Sequence, residues 1–131
     1  MQSVFSQPEA VVLASKHLLD GTGNLRWIYR ELAPTTSQDT GWLLFADNDT
    51  AKWNQEPDNF LPIVIETAIA LESSLTHVLD LPYGTDLMLD KRMGTLGWWD
   101  PKTHTPVWLS DGSVKTNISY NNGEVVEKSS K

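Results

Sequence analysis

The chain has 131 residues, no cysteine and a formal net charge of −7, with 40% hydrophobic residues and a mean hydropathy of −0.32. This length fits a single domain that buries roughly two-thirds of its unfolded surface, no apolar run approaches the roughly 18 residues of a membrane-spanning helix, and the missing thiols exclude disulfides and cysteine-based zinc sites. Between Asp39 and Asp90 stand ten acidic residues and one basic residue, Lys52, a balance that disfavours nucleic acid, speeds encounter with a basic partner and otherwise serves solubility.

The first residues lack the basic start and apolar run of a secretory signal, so the cytoplasm is the default location. Residues 10–14 read as a buried strand, and residues 15–21 as a short helix that Ser15 caps and Gly21 ends. A turn leads to a strand predicted over 25–32, where Leu25, Trp27 and Tyr29 alternate with Arg26, Ile28 and Arg30 at the period of a half-buried strand. Residues 34–39 connect it to a second strand over 42–46, and antiparallel pairing is the simplest outcome. Within the acidic stretch 47–59 a helical turn is expected around 50–55, and Pro57 discourages helix at Glu56.

Residues 61–65 read as a strand that Pro62 places at an edge or at the start of pairing. Ala68, Leu71, Leu75, Val78 and Leu79 recur at helical spacing, with Ser73 or Ser74 available as a cap if the region breaks into two helices. Pro82, Tyr83 and Gly84 end that region. Residues 97–108 predict two aromatic strands around Asp100 and Pro101, Asn122 and Gly123 mark a further hairpin, and residues 127–131 are expected to fray. With no repeat and no low-complexity linker, the expectation is one α+β domain over 1–131, mainly antiparallel sheet with a few short helices packed on it.

The stretches Tyr29-Arg30-Glu31, Pro34, Asp39-Thr40-Gly41-Trp42, Glu56-Pro57-Asp58-Asn59 and Leu81-Pro82-Tyr83-Gly84 follow one another in an order that resembles immunity protein family thirty-three, formerly a domain of unknown function. The resemblance spans about 11–90 and leaves the tryptophan-rich segment 94–131 as an extension. It implies a protein that binds a cognate bacterial toxin or effector domain and neutralises it by occluding its active site or substrate access, with no reaction of its own. Physically, the motif residues are mostly structural. Trp42 and Trp27 suit core packing, Arg30 and Asp39 suit an ion pair across the loop that Glu31 joins, and Gly41 and Gly84 suit unusual backbone angles.

Contact with the toxin is expected at Asp47, Asp49, Trp53, Glu56 and Asp58, where carboxylates fit a basic groove and the indole supplies an anchor; a solvated loop is the bland use of the same residues. Asp47-Asn48-Asp49 begins like a calcium loop, but Ala51, Lys52 and Asp58 occupy positions five, six and twelve, where that loop needs a ligand, a glycine and a glutamate. His17, His77 and His104 lie far apart without metal-ligand spacing, and no serine-nucleophile, phosphate-loop or dinucleotide motif occurs, so no catalytic residue, metal or cofactor is assigned. The runner-up function is a carbohydrate-binding module in which Trp98, Trp99 and Trp108 form a stacking platform, although their packing into a core is the simpler use. Oligomeric state and the toxin's chemistry are not encoded in any of these motifs.

Overall fold

A computed structural model of the chain describes residues 3–7, 9–31, 39–115, 118–121 and 124–127. The predicted loop over 34–39, apart from Asp39, lies outside the described residues, as do Leu32, Asn122, Gly123 and the last four positions. The elements are β1 (Val11–Ser15), α1 (Lys16–Leu19), β2 (Leu25–Arg30), β3 (Asp39–Ala46), α2 (Ala51–Asn54), β4 (Phe60–Val64), α3 (Ile65–Leu71), β5 (Asp86–Arg92), β6 (Thr95–Asp100), β7 (Thr105–Leu109), β8 (Ile118–Asn121) and β9 (Glu124–Glu127). Three-residue 3₁₀ turns at Val4–Ser6 and Pro57–Asn59 and a longer one at Ser73–His77 complete the described structure. Strands β1 to β7 form one sheet in the order β4-β1-β3-β2-β5-β6-β7, in which only β1 and β3 run parallel, and β8 pairs with β9. The fold is α+β and mainly antiparallel, as expected.

Local chemistry explains the short helices. Ser15 accepts the His17 N–H through Oγ and opens α1, and Gly21 leaves it at φ 80°. Thr50 opens α2 in the same way by accepting the Trp53 N–H. The predicted helical region after β4 does break in two, but its cap is Glu72, whose carboxylate accepts the Ser74 N–H at 3.0 Å. Ile65, expected at a strand end, opens α3 instead. Pro62 lies on the edge strand β4, where its missing N–H is tolerated.

The core lies on one face of the sheet. Val12, Ala14, Ile28, Trp42, Leu44, Ala46, Leu87, Leu89 and Trp98 project from that face onto Ala68, Leu75, Val78 and Leu79. Buried indoles fasten the helical layer: Trp42 Nε1 donates to the Leu79 carbonyl at 2.8 Å, and Trp98 Nε1 to Ser74 Oγ at 3.0 Å. Trp42 is core, as expected, but Trp27 is not, since 37% of it is exposed. The alternation in β2 is real; the face that turns inward is the one carrying Ile28 and Arg30, because these register with Leu44 and Trp42 of β3. Strand β5, which no motif announced, inserts between β2 and β6 and continues the core through Leu87 and Leu89.

Candidate partner-binding site

The expected contact residues divide by burial. Asp49 departs from the expectation: its side chain is only 2% exposed, and its carboxylate accepts the Ala46 N–H at 2.9 Å, Ser15 Oγ at 2.9 Å and His17 Nδ1 at 2.7 Å. Such saturation makes it a structural tie between the end of β3 and the start of α1. Trp53 is half-buried; its ring stacks on His17 at 3.8 Å, and its Nε1 donates to Ser15 Oγ at 3.1 Å. Asn59 Nδ2 donates to the Trp53 carbonyl at 3.0 Å and ties the Pro57–Asn59 turn back to α2.

Serine, histidine and aspartate therefore meet here, but not as a hydrolytic triad. In a triad the imidazole lies between hydroxyl and carboxylate. Here the carboxylate lies between the other two, and Ser15 is fully buried, so its hydroxyl reaches no substrate. The remaining predicted contacts, Asp47, Glu56 and Asp58, are all exposed. Asp47 is held by the Asn24 N–H at 3.0 Å, a bond that lowers its pKa below the ordinary carboxylate value. Glu56 precedes the Pro57–Asn59 turn and Asp58 lies in its first turn, so both project from a backbone with defined geometry.

Motif residues from distant stretches converge on Arg30, which is 5% exposed. Its Nε donates to the Thr40 carbonyl and its Nη1 to the Leu81 carbonyl, both at 2.7 Å, while the guanidinium lies 4.2 Å from the Tyr83 ring centroid and 5.7 Å from that of Trp42. The loop geometry for which the sequence suggests an Arg30–Asp39 ion pair is fixed through backbone groups. Asp39 Oδ1 accepts the Gly41 N–H at 2.8 Å, and the Gly41 carbonyl accepts the N–H of exposed Glu31 at 2.7 Å. Gly41 has φ 85°, and a Cβ there would stand 2.9 Å from the Glu31 carbonyl, so both conformation and space require glycine. Pro82, which is buried, and exposed Gly84, at φ 90°, shape the turn that donates the Gly84 N–H to the Arg30 carbonyl. Tyr29 faces away from this cluster, on the opposite side of the sheet.

That opposite side carries a feature the motifs did not announce. Phe45, Trp27, Met88, Trp99 and Pro106 are successive cross-strand partners from β3 to β7 and form one apolar row. A second row, Pro62, Leu13, Leu43 and Tyr29, ends on Asp86. Trp27, Phe45, Asn54 and Asp86 line a shallow depression of about 220 Å³, with α2 at its rim. Burial raises the Asp86 carboxyl above its ordinary pKa; the nearby Lys102 charge opposes the shift and Asp100 reinforces it. Period-two reading of Asp86-Leu87-Met88-Leu89-Asp90 would have found this strand and placed Asp86 on the non-core face.

The Immunity protein Imm33 domain matches residues 12–98 of the chain. The chain belongs to this immunity-protein family. No curated protein and no solved structure matches it significantly. The Imm33 match runs past the 11–90 span of the sequence motifs and takes in β5 and most of β6. The first tryptophan of the C-terminal segment, Trp98, thus falls within the Imm33 match, and β7 extends the same sheet.

Within the Imm33 fold the three tryptophans of the alternative reading do not share a surface. Trp98 is fully buried, and Trp108, its partner across β6 and β7, stacks on His77 at 4.6 Å beneath the helical layer. Trp99 projects from the other face, with the Arg92 guanidinium 4.2 Å from its ring centroid. A sugar-stacking platform built from these three is therefore excluded by strand alternation.

Proposed function

We propose that this Imm33 protein binds a cognate bacterial toxin in the cytoplasm and neutralises it by covering its active site or the path of its substrate. The observation that carries the reading is the family match over residues 12–98, which supports an immunity function with a toxin as partner. The net charge of −7 and the exposed Asp47, Glu56 and Asp58 support a partner with a basic surface. Inhibition is by occupancy: carboxylates around α2 steer the encounter, and Trp53, held by His17 and Ser15, supplies a rigid aromatic edge. The protein contributes no reaction, metal or cofactor.

Co-expression with a toxin whose gene neighbours this one tests the proposal. Cells carrying the wild-type protein survive, and Asp47→Lys combined with Asp58→Lys slows association and reduces its dependence on salt, because exposed charges act through long-range steering. Absence of both binding and protection by the wild-type protein refutes the immunity assignment. Unchanged association kinetics in the charge-reversed protein refute the role of these carboxylates.

A further inference from the structure

We infer that the sheet face opposite the helical layer is the principal toxin-docking surface, and that it receives a lysine or arginine of the toxin at Asp86, flanked by the row Phe45, Trp27, Met88 and Trp99. The inference rests on the toxin-binding reading above and specifies where that binding occurs. The layer of α3 and residues 73–79 packs on the Trp42 and Trp98 face, where the indoles bond to Leu79 and Ser74, and among the described residues α2 borders the other face at its rim. On the other face a row of large apolar side chains crosses five strands, with Trp27, on the middle strand of the seven-stranded sheet, left 37% exposed. Large aromatic groups in partly desolvated positions are the usual energetic centres of interfaces.

Asp86 gives this face its chemical preference. It registers with Tyr29, diagonal to Trp27 on the neighbouring strand, within the reach of long cross-strand side chains. Among the described residues no hydrogen-bond donor reaches its carboxylate, whereas Asp49, which lines the same depression, accepts three. A partly buried carboxylate beside an indole matches a cationic side chain through charge and through the ring, whose centroid the Arg26 guanidinium approaches only to 5.6 Å. Asp100 and Lys102 line the adjoining depression with Asp86, and their opposite charges offset each other, leaving Asp86 as the acid that faces the aromatic row. A second copy of this chain is a poor occupant, since each copy carries a charge of −7 and presents the same Asp86.

Affinity for the domain of a toxin whose gene neighbours this one, measured by calorimetry on the 131-residue chain, tests the inference. Trp27→Ala and Asp86→Asn each weaken binding by about thirtyfold or more, as expected for a central aromatic and its paired charge. Leu61→Ser, on the helix-bearing side of β4, leaves affinity unchanged. Thermal melts accompany each variant, and Asp86→Asn melts no lower than the wild type, so its lost affinity is not lost folding. Tight binding by the wild type with both Trp27→Ala and Asp86→Asn within about threefold of it overturns this inference and leaves the immunity reading standing. A wild-type dimer in sedimentation that Trp27→Ala dissociates assigns the face to self-association and also overturns it. A wild type that fails to bind the toxin overturns both.

Discussion

Arg30 is the residue on which the Imm33 motif stretches depend, and replacing it by alanine tests that dependence. The guanidinium satisfies the Thr40 and Leu81 carbonyls at 2.7 Å each and lies 4.2 Å from the Tyr83 ring centroid. Each buried carbonyl left without a donor costs about 1–3 kcal/mol, and a desolvated cation–π contact adds about 1–2 kcal/mol. Partial relaxation of the Leu81–Gly84 turn limits the total, so the expected loss is about 3–5 kcal/mol, a large share of the roughly 5–15 kcal/mol that holds a domain of this size. With a urea slope of about 1–3 kcal/mol per M, the unfolding midpoint followed by tryptophan fluorescence falls by on the order of 2 M. Arg30→Lys keeps the charge but cannot reach two divergent carbonyls with a planar fork, and loses about half as much. If Arg30→Ala unfolds within about 1 kcal/mol of the wild type, the two carbonyls are hydrated or re-paired and Arg30 does not hold the motif stretches together.

Trp42→Ala removes a fully buried indole and orphans the Leu79 carbonyl, so it destabilises by about 3–5 kcal/mol, whereas Trp53→Ala mainly weakens toxin binding; denaturant unfolding with a larger loss at Trp53 refutes this order. Asp49→Ala leaves Ser15 Oγ, His17 Nδ1 and the Ala46 N–H without their shared acceptor, and costs at least about 2 kcal/mol, while Asp47→Ala, at the surface, changes stability by under about 0.5 kcal/mol. For Asp86 the sign follows from its raised folded pKa. Ionising it opposes folding above that pKa, and the opposition fades as pH falls through the folded pKa toward the ordinary value of 3.8. Asp86→Asn is therefore at least as stable as the wild type at neutral pH, and the gap narrows on acidification; parallel pH profiles for the two proteins exclude that burial cost.

Sequence patterning located the local elements because their causes are local. Ser15, Thr50 and Pro62 each act on backbone groups within a few positions: Ser15 and Pro62 mark the cap and edge expected of them, and Thr50 caps the helical turn expected around 50–55. What patterning left open depends on pairings between distant segments. Alternation in β2 specifies two faces, but only its place between β3 and β5 sends Ile28 inward and Trp27 outward. The acidic candidates share one composition, yet Asp49 turns inward because the Ala46 amide and the Ser15 and His17 side chains, 3, 34 and 32 positions away in sequence, surround it. Arg30 and Trp42 were identifiable as structural residues; their partners Leu81 and Leu79 are backbone carbonyls, whose availability no side-chain motif records.

The sheet's edges sharpen the case for recognition through a face. An incoming strand extends a sheet by exchanging ladder hydrogen bonds with an edge strand. Here the edges are β4 and β7, and each carries a proline within its span, Pro62 and Pro106. A proline supplies no N–H, interrupts the donor row and discourages edge-to-edge pairing. One broad face is already occupied by the helical layer through Trp42 and Trp98. The opposite face retains half-buried aromatics and an acid without a described donor, next to a surface segment carrying Asp47, Glu56 and Asp58. A toxin that meets the protein through this face and segment gains aromatic contact for lifetime and negative charge for encounter rate, two contributions that substitutions at Trp27 and at Asp47 separate as changes in dissociation and association.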